Sequence, residues 1–365
     1  MRKKLLYILT DIATNGGVDR IVFDKINALI DSYDISILYL GNRNSPFYKL
    51  DSKVKTYNLP LRGKGILKYI HLINEYKKLL NEIKPNLIIN ANSILLTWII
   101  PFIGKQKNVL ELHQSYEGVK IFNDTNYGVG TLKNKFHFWL RDVVYPHYDK
   151  VVVLTNDDKN KWGYNNMIVI PNFTNLYSST PYTPDVKNII WVGRLTYQKG
   201  ADLLSEIWGE FRKRNHDWKL LIIGDEPGSD IKENLLASLH DDLNVGRVKY
   251  VNSTSEIEMY YSQSSIYISS SRYEGLPLAM IEAITFGLPC VGFSITGNTD
   301  IIKNAENGYL IPKDDIGSFV DKLSDLCTDK EKRISFSKIS IKRASMYSKP
   351  FVLDRWKTLI NSLCV

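Results

Sequence analysis

The first half of the chain alternates short β-branched runs with longer stretches of helical period. The runs are Lys4 to Leu9, Asp34 to Tyr39, Val54 to Leu59, Leu87 to Ala91, Val109 to His113 and Val151 to Leu154. Short apolar runs separated by helical patterns are the rhythm of a parallel α/β sheet. Asn172 to Asp185 breaks it, being rich in Thr, Ser, Pro and Tyr without an apolar period, and reads as a linker. The pattern then restarts at Asn188 to Val192, Lys219 to Ile223, Val248 to Val251, Ile266 to Ser269 and Pro289 to Gly292, which predicts a second α/β domain. Phe351, Leu353, Trp356, Leu359, Ile360 and Leu363 keep helical spacing after Pro350. The expected division is therefore 1–172, a linker 173–186, 187–348, and a C-terminal helix 349–365 that closes on one of the two domains.

The most apolar stretch, Leu87 to Gly104, is interrupted by Asn90, Asn92, Thr97 and Pro101. A membrane span would strand those amides in hydrocarbon, so the stretch predicts a buried strand followed by a buried helix. At the N-terminus, Asp11 follows too short an apolar run for a signal peptide. A length of 365 residues with 44% hydrophobic content suits two domains. Three widely spaced cysteines, Cys290, Cys327 and Cys364, form no CxxC pair and fit a reducing, cytoplasmic setting. The formal charge of +8 is compatible with anionic partners but names none.

In open parallel sheets ligands bind beyond the carboxyl ends of the strands. Four strand-end segments carry suitable chemistry. Asn15, Gly16, Gly17 and Val18 lie between the first strand and a helix expected from about Asp19 to Ile30; adjacent glycines serve either a turn or the close approach of an anion to backbone amides. Arg194 and Lys199, five residues apart after Trp191 to Gly193, suit either solvent or a diphosphate. This loop is neither a Walker motif nor GxGxxG.

The stretch Ser271 to Ala283 is the most specific. Pro277 fits the first helical position, which makes Leu276 a cap without a side-chain oxygen and leaves the first-turn amides open to an outside acceptor. Glu282 falls in the apolar run Leu278 to Phe286 and needs polar partners there, unless that side of the helix is exposed. His113, at a strand end, is placed as a hydrogen-bonding or proton-handling group, or as a structural histidine.

Together these segments resemble glycosyltransferase family 4, the retaining GT-B enzymes. The likeness runs through Gly16 and Gly17, His113, Ile170-Pro171-Asn172, the Gly193, Arg194, Lys199, Gly200 loop, and Glu274 to Glu282 as the E-x7-E element. It implies two Rossmann-like domains facing a cleft, with the C-terminal helix crossing back to the first. It also implies that Arg194 and Lys199 hold the donor pyrophosphate, assisted by the backbone of Gly275, Leu276, Pro277 and Leu278. By the same likeness Glu282 accepts from the ribose hydroxyls, Glu274 faces the transferred sugar, and His113 lies near the reacting carbon. Gly16 and Gly17 complete the donor set. The family pattern is departed from at Asp19, where many members carry Glu, and at Gln114, a position that varies.

The implied activity is transfer of a hexose from a nucleotide diphosphate sugar, with UDP favoured, and with neither metal nor cofactor, since no Asp-x-Asp metal motif occurs. A sugar-nucleotide 2-epimerase is the alternative on the same architecture. The acceptor expected is a saccharide, in particular a lipid-linked one at the inner membrane face. Arg62, Lys64, Lys68, Lys77 and Lys78, then Lys133, Lys135, Phe136, Phe138, Trp139 and Arg141, mix cations with apolar groups and suit an anionic membrane surface or solvated helices. The basic residues are otherwise dispersed, which argues against a nucleic-acid partner.

Overall fold

The computed structural model describes residues 2–13, 16–41, 45–59, 61–62, 65–91, 93, 95–179 and 181–364. It divides into two units, Met1–Asn172 with Val352–Val365, and Phe173–Phe351. Each is a Rossmann-like parallel sheet with helices.

The first unit contains β1 (Lys4–Leu9), β2 (Asp34–Tyr39), β3 (Lys55–Asn58), β4 (Leu87–Asn90), β5 (Lys107–Glu111), β6 (Lys150–Val153) and β7 (Met167–Val169). They lie in the order β3-β2-β1-β4-β5-β6-β7, with parallel neighbours throughout. Leu5 to Leu9 are all buried, as continuous apolar runs must be when helices cover both faces. On one face Leu6, Ile8, Ile88 and Leu110 pack with Leu72, Tyr76, Leu80 and Ile83. Those last four form one stripe of the helix Gly65–Ile83.

The second unit contains β8 (Asn188–Val192), β9 (Lys219–Ile223), β10 (Val248–Val251), β11 (Ile266–Ser269), β12 (Cys290–Phe293) and β13 (Gly308–Ile311). Their order is β10-β9-β8-β11-β12-β13, again parallel. Trp191, Trp208, Phe211, Phe293 and Phe319 anchor one core cluster. The chain direction across each sheet reverses once, between β1 and β4 and between β8 and β11. These two switch points are where ligands of open α/β sheets bind.

The C-terminal helix Lys349–Leu363 buries Val352, Trp356, Leu359 and Ile360, and from Val352 onward it groups with the first unit. Asn361 takes hydrogen bonds from Lys3 Nζ and the Tyr33 hydroxyl, both at 3.3 Å. The segment between the units is fastened to the second one. Tyr182 donates to the Ser265 carbonyl at 2.8 Å, Arg333 to the Pro184 carbonyl at 2.9 Å, and Thr174 bridges to Ser348.

Four details differ from the sequence reading. Leu87 to Gly104 continues past β4 as two 3₁₀ turns, Leu96–Trp98 and Ile100–Phe102, and not as a helix, because Pro101 removes a donor. β5 stops at Glu111, so His113 lies two residues beyond the strand. β12 runs one residue later than its apolar pattern suggests. β13 opens on Gly308, a turn-like signal; a Cβ there would lie 2.0 Å from the Cys290 carbonyl oxygen, so strand contact itself demands glycine. Among the described residues no helix is long and apolar enough to cross a membrane.

Candidate functional site

At the β8/β11 switch point two loops are locked together. Arg272, after β11, forms a two-pronged ion pair with Asp202 at 2.7 and 2.6 Å. Its guanidinium also stacks 3.8 Å from the Tyr197 ring centroid. The Arg272 amide donates to Gln198 O at 2.9 Å, and Ser270 Oγ donates to the Gly200 carbonyl at 2.8 Å. Gly200 has φ +63°, and a Cβ there would lie 1.9 Å from Ser270 O. The loop carrying Lys199 is thereby fixed against the loop carrying Glu274.

On this platform Lys199 Nζ meets Glu274 Oε1 at 2.5 Å, and Ser271 Oγ donates to the same oxygen at 2.8 Å. Lys199 keeps 22% of its side chain exposed and Glu274 8%. The family resemblance gave these residues separate tasks; the fold pairs them directly. Arg194 stands apart, 63% exposed and 3.9 Å from Glu226. At that distance the ion pair is loose, so Arg194 is a long, exposed cation on the same loop.

Pro277 is the N-cap and Leu278 opens the helix Leu278–Thr285. This corrects by one residue the reading of Pro277 as first helical residue with Leu276 as cap. Pro277 holds extended backbone, with ψ 110°. No side chain caps this helix, so its first amides stay available to an acceptor. Gly297, on the loop after β12, lies against this turn: a Cβ on it would be 2.6 Å from Gly275 O and 2.9 Å from Pro277 Cδ. That glycine was missed in the sequence; Thr296-Gly297-Asn298, just past a strand, was the available signal.

Glu282 is buried within the helix. Its Oε2 lies 3.1 Å from the Tyr261 hydroxyl, which is also 3.0 Å from the Ala279 carbonyl. Buried Tyr267 has its phenol pKa driven far up by burial, and Cys290, Glu274 and Glu282 push the same way. Both carboxylates thus act on one tyrosine of β11.

In the first unit the helix Gly17–Leu29 starts two residues earlier than expected, with Gly16 as its N-cap and no side-chain cap. Gly16 holds ordinary extended backbone, φ −73° and ψ 156°. A Cβ on Gly17 would meet nothing within 4 Å among the described residues. Among the described residues, then, packing does not demand glycine at 17. Asn15 lies outside the described residues.

His113 follows β5, its side chain only 7% exposed, with Nε2 3.3 Å from Glu111 Oε2. Glu111 in turn is gripped through both oxygens by Lys25 Nζ at 2.5 Å. Burial pushes the Glu111 carboxyl up, but Lys25 together with His113 outweighs it and holds the group below its ordinary range. Lys25 is lowered by burial, with Glu111 partly restoring it. Neither partner of this pair was singled out in the sequence. Val22, Lys25, Ile26 and Leu29 fall on one buried helical stripe, which was the signal.

Residues 179–343 match the family model described as glycosyl transferases group 1. The match spans Arg194, Lys199, Glu274 and Glu282. Residues 179–343 are thus similar to the group 1 glycosyltransferase domain. Over nearly its whole length the chain is 28% identical to an uncharacterized glycosyltransferase of Haemophilus influenzae, covering 98% of this chain and 100% of the relative. It is likewise 28% identical to the amylovoran biosynthesis glycosyltransferase AmsD of Erwinia amylovora, covering 98% and 99%. A Campylobacter jejuni N-acetylgalactosaminyltransferase, named for an undecaprenol-diphosphate-linked saccharide, is 23% identical over 98% of each.

Among solved structures, sucrose-phosphate synthase of Thermosynechococcus elongatus superposes with a TM-score of 0.80 at 17% identity, covering 99% of each chain. Anabaena HepE in complex with UDP-glucose gives 0.76 at 15% identity, covering 98% of this chain and 99% of the other. These likenesses establish the GT-B fold.

The first unit also exposes apolar side chains beside cations. On the helices Tyr116–Tyr127 and Leu132–Val144 and the turn joining them, Phe122, Val129, Leu132, Phe136 and Trp139 are exposed, as are Lys133 and Lys135. Phe138 and Arg141 are half-buried and stack, with Arg141 5.3 Å from the ring centroid. On the helix Gly65–Ile83, Leu67, Tyr69 and Ile70 are exposed. Arg62, Lys77 and Lys78 are exposed and Lys68 is half-buried, whereas Lys64 lies outside the described residues.

Proposed function

We propose that the protein is a retaining glycosyltransferase of family 4 that transfers a hexosyl group from a UDP-sugar to a lipid-linked saccharide, without a metal. The observation that carries this reading is the Lys199–Glu274 pair at the β8/β11 switch point, beside the uncapped helix that starts after Pro277. A diphosphate reaching these loops competes with Glu274 for Lys199. It can draw further positive potential from Arg194 and from the backbone amides of Gly275 and Leu278.

Transfer breaks the bond between the anomeric carbon and the diphosphate oxygen and forms one to the acceptor oxygen. The acceptor proton leaves with the diphosphate, whose growing charge these cations stabilise. Glu274, released from Lys199, turns to the sugar. Glu282, already beside the Tyr261 hydroxyl, takes the ribose hydroxyls. His113 serves the reacting carbon and the acceptor, and Gly16 and Gly17 leave room for the donor. The UDP-glucose complex of a neighbour with this fold supports the choice of UDP. Relatives named for amylovoran and for an undecaprenol-linked saccharide support a lipid-linked acceptor in surface polysaccharide synthesis.

Those relatives favour transfer over epimerisation, and a donor incubated without acceptor separates the two: a 2-epimer would form only under the alternative. A panel of UDP-, GDP- and ADP-sugars, read by thermal stabilisation, tests the donor, because a bound ligand raises apparent stability by mass action. Stabilisation confined to GDP- or ADP-sugars would overturn the UDP assignment. Turnover in excess chelator should persist, and the product should keep the donor's anomeric configuration by NMR. The exposed cations and aromatics of the first unit support an inner-face membrane setting. Flotation with anionic liposomes at low salt should carry the protein upward, and failure to float would remove that part of the reading.

A further inference from the structure

Resting on the reading of His113 as an acceptor-side group, we propose that Glu111 is a positioning residue for it. Held by Lys25 beneath the Trp356 ring, the carboxylate fixes the imidazole so that Nε2 carries the proton and Nδ1 is the nitrogen that meets the sugar hydroxyl. The geometry points this way through four contacts. Both Glu111 oxygens lie 2.5 Å from Lys25 Nζ. Oε2 lies 3.3 Å from His113 Nε2, close but without the alignment of a full hydrogen bond. Such contacts tighten when a substrate orders the site. Lys25 Nζ lies 3.9 Å from the Trp356 ring centroid and 5.5 Å from that of Tyr7. His113 Nδ1 is buried and has no partner among the described residues.

The chemistry of the carboxylate decides the tautomer. Ionised Glu111 can only accept, so the ring nitrogen it faces must be the protonated one. The neutral ring then presents a lone pair at Nδ1, which can accept from a hydroxyl. Alone and buried, the carboxylate would shed its charge and lose this hold. Lys25 prevents that, and the Trp356 face stabilises the ammonium from the other side. Because Lys25 belongs to the helix Gly17–Leu29, the pair also ties the Gly16-Gly17 segment to the strand end that carries His113.

Removing one partner alone leaves a buried charge and risks unfolding, so the informative variant is the double Lys25→Met/Glu111→Leu, which keeps volume and removes both charges. Two measurements test the proposal. In the ¹⁵N-histidine-labelled parent, with His113 assigned by its loss in His113→Gln, the neutral ring should show a single Nε2–H tautomer. An Nδ1–H tautomer would overturn the proposal without reference to any activity. In the double variant the tautomers should mix, and kcat should fall roughly ten- to hundredfold with donor KM unchanged. A folded double variant with the parent's tautomer or the parent's kcat contradicts it. If the tautomer result holds while no sugar transfer is found in the parent, the reading of the activity fails and the positioning role stands.

Discussion

The two units each hold a lysine–glutamate pair at 2.5 Å, and the two pairs live in opposite surroundings. Lys25–Glu111 is sealed, with 2% and 3% of its side chains exposed. Lys199–Glu274 keeps its lysine 22% exposed on a strand-end loop. A sealed pair cannot exchange partners cheaply, because each ion separated in a poor dielectric costs several kcal/mol. An open pair can, because water or an arriving anion replaces the lost partner. The same contact is therefore fixed in one place and open to exchange in the other, as the proposed donor grip requires.

The sharpest way to break the comparison is to truncate the glutamates singly. Glu111→Ala should destabilise the first unit by about 3 to 5 kcal/mol, the usual cost of stranding a buried charge. Glu274→Ala should cost less, about 1 to 3 kcal/mol, because it strands the Ser271 hydroxyl while water still reaches Lys199. Urea unfolding followed by probes in each unit reads both, and equal losses would show that the pairs do not differ. Catalysis should invert the ranking among folded proteins. Glu274→Ala should lower kcat roughly 10²- to 10³-fold, as for lost transition-state electrostatics. UDP affinity in calorimetry should stay level or rise, since Lys199 is freed.

Glu282→Ala sharpens the contrast inside the second unit. It should weaken UDP binding by about 1.5 to 3 kcal/mol if its carboxylate takes the ribose hydroxyls. If Glu282→Ala and Glu274→Ala both bind and turn over as the parent does, the carboxylates are structural. The smallest effect is a pH dependence. Glu111 is held below its ordinary value of 4.5, so its contribution is fully present above that pH and is lost as pH falls through the lowered value. As pH falls below 4.5 the parent should lose stability that Lys25→Met/Glu111→Leu does not, and parallel curves would contradict the pairing.

Much of this was legible in the sequence because parallel strands announce themselves as continuous apolar runs. Lys4–Leu9 and Lys219–Ile223 stand where their runs place them. β7 has three residues, too few for a period, and β13 begins on Gly308. Arg194, Lys199, Glu274 and Glu282 stood out as candidates because strand-end loops and a proline at a helix start have local signatures. The Lys199–Glu274 contact was not, being a matter of how two loops 75 residues apart are locked by Arg272 and Asp202. Lys25 and Glu111 stand 86 residues apart, and a lysine in an amphipathic helix ordinarily reads as solvated. Only its place between Val22, Ile26 and Leu29 marks it as buried, and sequence alone names no partner for it.

The central claim, that the open pair grips the donor diphosphate and the sealed pair does not, is tested most directly by calorimetry of UDP with three proteins. Lys199→Met should bind about ten- to a hundredfold more weakly than the parent, the worth of one charge-assisted contact. Lys25→Met/Glu111→Leu should bind UDP as the parent does. Unchanged binding by Lys199→Met, or loss of binding in the double variant, would contradict the account.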